Sequence, residues 1–204
     1  MTAIINYGVG NLFSLAGSLK RLGIESKVTA DVGEIKAAHR IILPGVGAFG
    51  DAAEKLRSTG LDRVIKEEAA NGKPLMGICL GMQMLFEKSY EYGEHDGLAL
   101  IPGCVKPMKP LIDGRLKVPH IGWNSLHITD REDPILKYIN EGDYVYYVHS
   151  YYAAECEEWT SSVSEYGFSV TGSVRNGNVW GTQFHPEKSG EKGLKILQTF
   201  SEIK

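Results

Sequence analysis

The sequence predicts an α/β chain: an open, mostly parallel sheet flanked by helices, with additional antiparallel strands in the C-terminal half. Three observations lead there. Short apolar runs alternate with helix-periodic segments through the first half of the chain. Later segments turn rich in β-branched and aromatic residues separated by short turn signals. The 204 residues, 43% of them hydrophobic, can bury one substantial core, and no linker or low-complexity tract divides them. A single domain over 1–204 is expected.

"TAIINY" (2–7) is an apolar run ended by "GVGN", after which Leu12, Leu15, Leu19 and Leu22 recur at helical spacing. "ESKVTA" (25–30) and "RIILPG" (40–45) predict two further strands, the second almost wholly apolar, as a parallel strand covered on both faces should be. "GDAAEKLRSTG" and "DRVIKEEAANG" carry helical periodicity and end at Gly60 and Gly72, where a helix C-cap favours glycine. "PLMGI" (74–78) predicts a fourth strand, and Leu80, Met84 and Leu85 mark a helix after it. Strands joined through helices imply right-handed crossovers and a parallel, flavodoxin-like sheet. "SLHIT" (125–129), "DYVYYVHSYY" (143–152), "TSSVSEY" (160–166), "FSVTGSV" (168–174) and "NVWGTQF" (178–184) predict antiparallel strands, with "RNGN" (175–178) as a hairpin turn. A helix over "GEKGLKILQTFSEI" closes the chain, and no internal repeat is visible.

A formal charge of −3 without a basic run gives no pull toward nucleic acid or an anionic membrane. "MTAIINYGVG" lacks the basic flank and apolar core of a signal peptide, and no apolar run reaches the length of a membrane span, so a cytoplasmic protein is expected. Cys79, Cys104 and Cys156 are an odd number, spaced for neither a Cys-x-x-Cys metal site nor a disulfide framework. Reduced thiols are expected, with no metal and no cofactor.

Cys79 directly follows a buried strand and precedes a helix, the context of a nucleophile elbow. Gly77 and Gly81 remove Cβ atoms where a sharp turn brings backbone segments together. The sulfur is expected exposed at the carboxyl end of the sheet, where α/β sheets bind ligands, with the helix macrodipole and nearby N–H groups favouring thiolate. Cys104 and Cys156 have no such context and read as packing residues. A base is available in "GTQFHPEKSG" (181–190): His185 and Glu187, two apart in an extended segment stiffened by Pro186, project to the same side. An imidazole can take the thiol proton and deliver one to a departing amine, while a carboxylate on its other nitrogen sets tautomer and orientation. Candidate oxyanion donors are the N–H of Leu80 and those of "ILPGVGAFGD" (42–51), which leaves the third strand at the same edge with Gly45 and Gly47. "NYGVGNLF" resembles a dinucleotide fingerprint, but Phe13 stands at its third glycine position, which argues against a nucleotide.

"GICLGMQ", "LPGVGAF" and "TQFHPEKS" resemble the nucleophile motif, oxyanion strand and histidine–glutamate motif of class I (triad-type) glutamine amidotransferases, and the resemblance spans the chain. Within that family, "NYGVGN", "VPHIGWN", "YVHSYY" and the lysine of "HPEKS" are most similar to the glutaminase subunits of imidazole glycerol phosphate synthases. The resemblance implies hydrolysis of glutamine through a Cys79 thioester, with His185 and Glu187 completing the triad and Val46, Gly47 and Leu80 forming the oxyanion hole. Gly47, Gln83, Ser150 and Tyr151 match substrate-binding positions. Asn11, His120, Trp123, Tyr146 and Lys188 match positions facing a (β/α)8-barrel cyclase, the partner that consumes the ammonia in a heterodimer. Read without the family, "PHIGWN" is a Pro/Gly-bounded loop presenting a histidine and a tryptophan as a contact patch, or else Trp123 caps the core. Three other readings stay open: a sister amidotransferase with another synthase, a paralogue serving surface-sugar biosynthesis, and a non-catalytic binding subunit.

Overall fold

The computed structural model describes residues 1–203. Its first half follows the predicted alternation: β1 (Thr2–Ile5), α1 (Leu12–Arg21), β2 (Ser26–Thr29), α2 (Val32–Ala37), β3 (Arg40–Gly45), α3 (Phe49–Thr59), α4 (Leu61–Ala70), β4 (Leu75–Cys79) and α5 (Leu80–Gln83). The second half comprises β5 (Phe86–Ser89), β6 (His95–Asp96), β7 (Ile101–Pro107), β8 (His120–Ser125), β9 (His127–Ile128), β10 (Tyr144–His149), β11 (Tyr151–Ala154), β12 (Thr160–Glu165), β13 (Ser169–Asn176), β14 (Val179–Thr182) and α6 (Gly190–Glu202).

Eight strands form one sheet in the order β2-β1-β3-β4-β14-β13-β12-β9. The first five are parallel to their neighbours and the remaining pairings are antiparallel. Alternation along the central strands divides the core. Ile5, Ile41, Leu43 and Leu75 pack with α2, α3 and α4 through Ile35, Leu56 and Ile65. Ile4, Ile42, Met76 and Ile78 pack on the other face with Leu15 and Leu19 of α1 and Ile196 and Phe200 of α6. Both faces are therefore dry, which is why β3 and β4 read as continuous apolar runs. Gly60 ends α3 in the left-handed conformation, as its place in the sequence predicts.

Three expectations change. The helix after Cys79 is a single turn of four residues, because Phe86–Ser89 leaves it as a strand and pairs with β7 and β6. A second, smaller sheet, β11-β7-β5-β6, thus forms beside the predicted one. Its strand β7, a segment for which no strand is expected from the sequence, runs through Pro102 and Gly103, the latter at φ +116°. "VPHIGWN" is largely strand rather than loop: β8 pairs antiparallel with β10, Trp123 opposite Tyr146 and His120 opposite His149. The predicted strand over 143–152 divides at Ser150, with β10 in a two-stranded ribbon and β11 in the smaller sheet.

Candidate active site

Parallel register brings the site together. Gly45 lies opposite Cys79 across the β3–β4 pair, and Thr182 lies opposite Ile78 across β14–β4. The segments carrying Val46, Gly47, Leu80 and His185 therefore leave the sheet side by side at its carboxyl end. Cys79 has φ 55° and ψ −112°, a strained conformation for a residue with a Cβ. A Cβ on Gly81 would lie 1.8 Å from the Leu43 carbonyl oxygen, and one on Gly77 would lie 2.5 Å from that of Gly81. The two motif glycines are thus required for close approach, as the sequence predicts. Gly47 is required for a different reason: its φ of +98°.

Cys79, Leu80, Val46, Gly47, Gln83, Ser150, Tyr151 and His185 line one cavity of about 400 Å³. This is a volume ordinary for a small-molecule site. Cys79 lies in the cavity wall and is only 7% exposed as a residue, more enclosed than expected. His185 Nδ1 meets Glu187 Oε1 at 2.9 Å, with both side chains buried. Glu187 reaches the ring from a 3-10 turn (Pro186–Lys188) rather than from an extended strand. Burial alone would push the His185 imidazole down, but the Cys79 sulfur and Glu187 outweigh it and raise it to about 9. A proton on His185 is therefore available throughout the neutral range and is lost as pH rises through about 9. A helix of one turn behind the elbow supplies a sulfur anion with first-turn backbone N–H groups, which have no intrahelical partners, rather than with a macrodipole.

Gln83 is buried, not solvated. Its Nε2 donates to the Tyr151 carbonyl at 3.1 Å and to Gln183 Oε1 at 3.0 Å. Both amide hydrogens are spent, so its carbonyl oxygen is what remains for a ligand. Gln183 Nε2 in turn lies 3.8 Å from the sulfur. Sequence reading passed over Gln183, although it sits in the same "TQFHPE" run. It also passed over Glu91, which lines the cavity and accepts from the Phe49 N–H at 2.7 Å through one oxygen. Burial pushes the Glu91 carboxyl up, against the effect of that bond. On the strand side, the buried Tyr7 hydroxyl donates to the Pro44 carbonyl at 2.8 Å and so anchors the base of the 44–47 segment.

The five residues matched to a partner face separate. Trp123 is 55% exposed beside Tyr146 and does not cap the core. Lys188 is exposed, and Asn11 precedes α1 without spending its side chain on a cap. Ile121 and Phe13 are also exposed. His120 departs from the expectation: strand alternation turns it inward, opposite His149, and it is 2% exposed. Its ring stacks between Tyr166 and Tyr147, with centroids 3.9 and 4.7 Å away.

A class-I glutamine amidotransferase family model matches residues 3–203. The chain belongs to this family. It is 47% identical over 203 residues to "Imidazole glycerol phosphate synthase subunit HisH" of Listeria monocytogenes serotype 4a, covering 100% of this chain and 96% of that protein. It is 50% identical over 204 residues to the subunit of the same name from Caldanaerobacter subterraneus subsp. tengcongensis, covering 100% and 98%. Among solved structures, PurLQS from Thermotoga maritima superposes with a TM-score of 0.76 at 20% identity, covering 98% of this chain and 96% of that one. The glutaminase domain of Trypanosoma brucei CTPS with bound acivicin gives 0.67 at 16%, covering 100% and 94%. These two likenesses are of fold.

The amidotransferase keeps Cys104 and Cys156 away from this cavity, both buried; burial pushes the Cys104 thiol up to about 11 and that of Cys156 upward as well. Among the described residues no cluster of His, Cys, Asp and Glu could hold a metal ion, and no helix is long and apolar enough to cross a membrane. Burial pushes His120 down to about 4 and His149 down to about 3, with His120 and His185 adding to the effect on His149 and its bond to the Tyr151 carbonyl opposing it. Tyr147 packs against both rings and Tyr166 against His120. In the unfolded chain both rings take up protons near about 6.5, so stability falls as pH drops from there toward 4 and 3. The urea midpoint is expected to decline between pH 7 and 4.5, and to decline less in a His149→Gln variant.

Proposed function

We propose that the chain is the glutaminase subunit of an imidazole glycerol phosphate synthase. It hydrolyses glutamine to glutamate and ammonia and passes the ammonia to a cyclase subunit. The convergence of Cys79, His185 and Glu187 beside a cavity of amino-acid size carries the reading, and full-length likeness to subunits of that name supports the choice of synthase.

Cys79 Sγ attacks the carboxamide carbon, and the oxygen becomes an anion within reach of the Leu80 N–H and those of Val46 and Gly47. As the C–N bond breaks, His185 protonates the leaving nitrogen. The same ring then takes a proton from water, which attacks the thioester and releases glutamate and the thiol. Glu187 holds Nδ1 so that Nε2 faces the reaction. The substrate's α-ammonium is matched by the Gln83 carbonyl oxygen and the Glu91 carboxylate, and its carboxylate by the Ser150–Tyr151 segment and Gly47.

The partner is a (β/α)8-barrel cyclase bound as a heterodimer over the face that carries Asn11, Trp123, Tyr146 and Lys188. Exposed aromatics beside a lysine suit such a contact. His120 supports that face from below rather than touching the partner. Both core layers share the eight-stranded sheet, so residues 1–204 act as one domain. The three free thiols suit the cytoplasm.

The test combines the purified chain with the barrel cyclase and a cyclase substrate analogue. Co-elution as a heterodimer, with glutamate release rising well above that of the isolated chain, is expected. Recovery of a different synthase from cell extract would assign the chain to a sister enzyme. No glutamate release with any synthase would leave only a binding role.

A further inference from the structure

His120 and His149 are joined by a single hydrogen bond, Nδ1 to Nε2 at 3.0 Å, in a buried site that the hydrolysis steps above do not use. Their surroundings dictate where each proton sits. At one end the Ser125 N–H donates to Asn124 Oδ1 at 2.9 Å while Asn124 Nδ2 donates to the Glu165 carbonyl at 2.9 Å, which fixes the amide. Its second N–H points at His120 Nε2, 3.4 Å away, so that nitrogen is an acceptor and Nδ1 carries the proton. At the other end His149 Nδ1 faces the Tyr151 carbonyl at 2.8 Å, which can only accept, so Nδ1 carries the proton and Nε2 accepts from His120. The two ends agree. A one-way chain runs from Asn124 through His120 and His149 to the Tyr151 carbonyl. Reversing it would set two lone pairs against each other at a fixed backbone group, so it is not a proton relay to His185.

We propose that His149, and His120 through it, are positioning residues that hold the Ser150–Tyr151 segment for substrate glutamine. His149 ends β10 and bonds the carbonyl two residues on, closing the bend at which the chain passes from the ribbon to the smaller sheet. Ser150 and Tyr151 face the cavity from that bend, and Gln83 binds the same carbonyl. Two tyrosine rings clamp His120, so the donor to His149 has a fixed direction. The carboxylate end of the substrate would thus be placed by a structure tied to β8 rather than by a free loop. This rests on the glutaminase reading.

Nitrogen-15 NMR of the imidazole rings in the wild-type chain at neutral pH is expected to show His120 and His149 both protonated on Nδ1. A proton on Nε2 of either ring overturns the chain, whatever the enzyme does. Kinetics with the cyclase bound then test positioning. His120→Leu removes the donor to His149 and is expected to raise KM for glutamine about tenfold with kcat within about twofold. His120→Asn, whose amide can replace the ring Nδ1–H, should return KM to within about twofold of wild type. Equal KM for the two variants, or a fall in kcat without a rise in KM, overturns the positioning role. Absence of hydrolysis by the wild-type complex sinks the glutaminase reading and the glutamine-placing role with it, leaving the tautomers as an independent result.

Discussion

Replacing Cys79 with alanine is expected to lower glutamate release by at least about four orders of magnitude, because the carbon–sulfur bond that divides the reaction into two steps can no longer form. A total loss could also come from misfolding, so a second readout is needed. His185 supplies it. Its imidazole is held up to about 9 against burial by the Cys79 sulfur and Glu187. In Cys79→Ala the sulfur is gone and burial is opposed by Glu187 alone, so the NMR-measured His185 pKa should fall below the wild-type value while glutamine still binds. The sign also bears on stability. A ring raised in the folded state favours folding below its unfolded value near about 6.5, and that contribution is lost as pH rises through about 9. The wild-type denaturation midpoint should therefore lose ground between neutral pH and pH 9.5, and Cys79→Ala should lose less over the same interval. An unchanged His185 pKa in the folded variant would mean that thiol and imidazole do not interact, and the proposed chemistry would fail.

Gly81→Ala should have the largest effect on folding. The added methyl would sit 1.8 Å from the Leu43 carbonyl oxygen and 2.8 Å from its carbon, both backbone atoms of β3 that no rotamer change can move. Relief requires either prying α5 off the sheet or displacing β3, whose Pro44 and Gly45 lead into the oxyanion segment. A cost of about 4 kcal/mol or more is expected, a large fraction of a typical folding free energy. In a chain of this size that lowers Tm by about 10 °C or more. Gly47→Ala provides the contrast. Nothing lies within 4 Å of its Cβ, so the penalty there is the positive φ alone, about 1 kcal/mol, and the loss should fall on activity more than on Tm. Equal Tm for Gly81→Ala and wild type would show that β3 and α5 are farther apart than described.

The elements most legible in sequence were those whose cause is local. β3, buried on both faces, could hardly be anything but a continuous apolar strand. The glycine pair around Cys79 signalled an elbow because a Cβ at either position has no room in a sharp strand-to-helix turn. His185 and Glu187 were legible because they lie two positions apart and the single residue between them, a proline, stiffens the link. Legibility failed where the deciding partner lies far along the chain. Phe86–Ser89 is a strand because β7 offers it a ladder, which the helical spacing of Leu80, Met84 and Leu85 could not foretell. His120 turned inward because β8 pairs with β10 and alternation then assigns its face; read as a loop, the same residue belonged outside. Glu91 carries no local mark and Gln183 only its place in the "TQFHPE" run, since folding alone brings the one to the cavity and the other beside the sulfur.

The order of residues alone thus determined a parallel α/β sheet and a thiol, an imidazole and a carboxylate suited to opening an amide, because those signals reside in periodicity, steric room and near neighbours. Tertiary structure decided the rest. The parallel registers of β3, β4 and β14 bring residues 45, 79 and 185 to one rim, and the β8–β10 ribbon buries a pair of histidines behind it. Cross-strand register joins positions that lie scores of residues apart, and no local pattern encodes which strand will be whose neighbour.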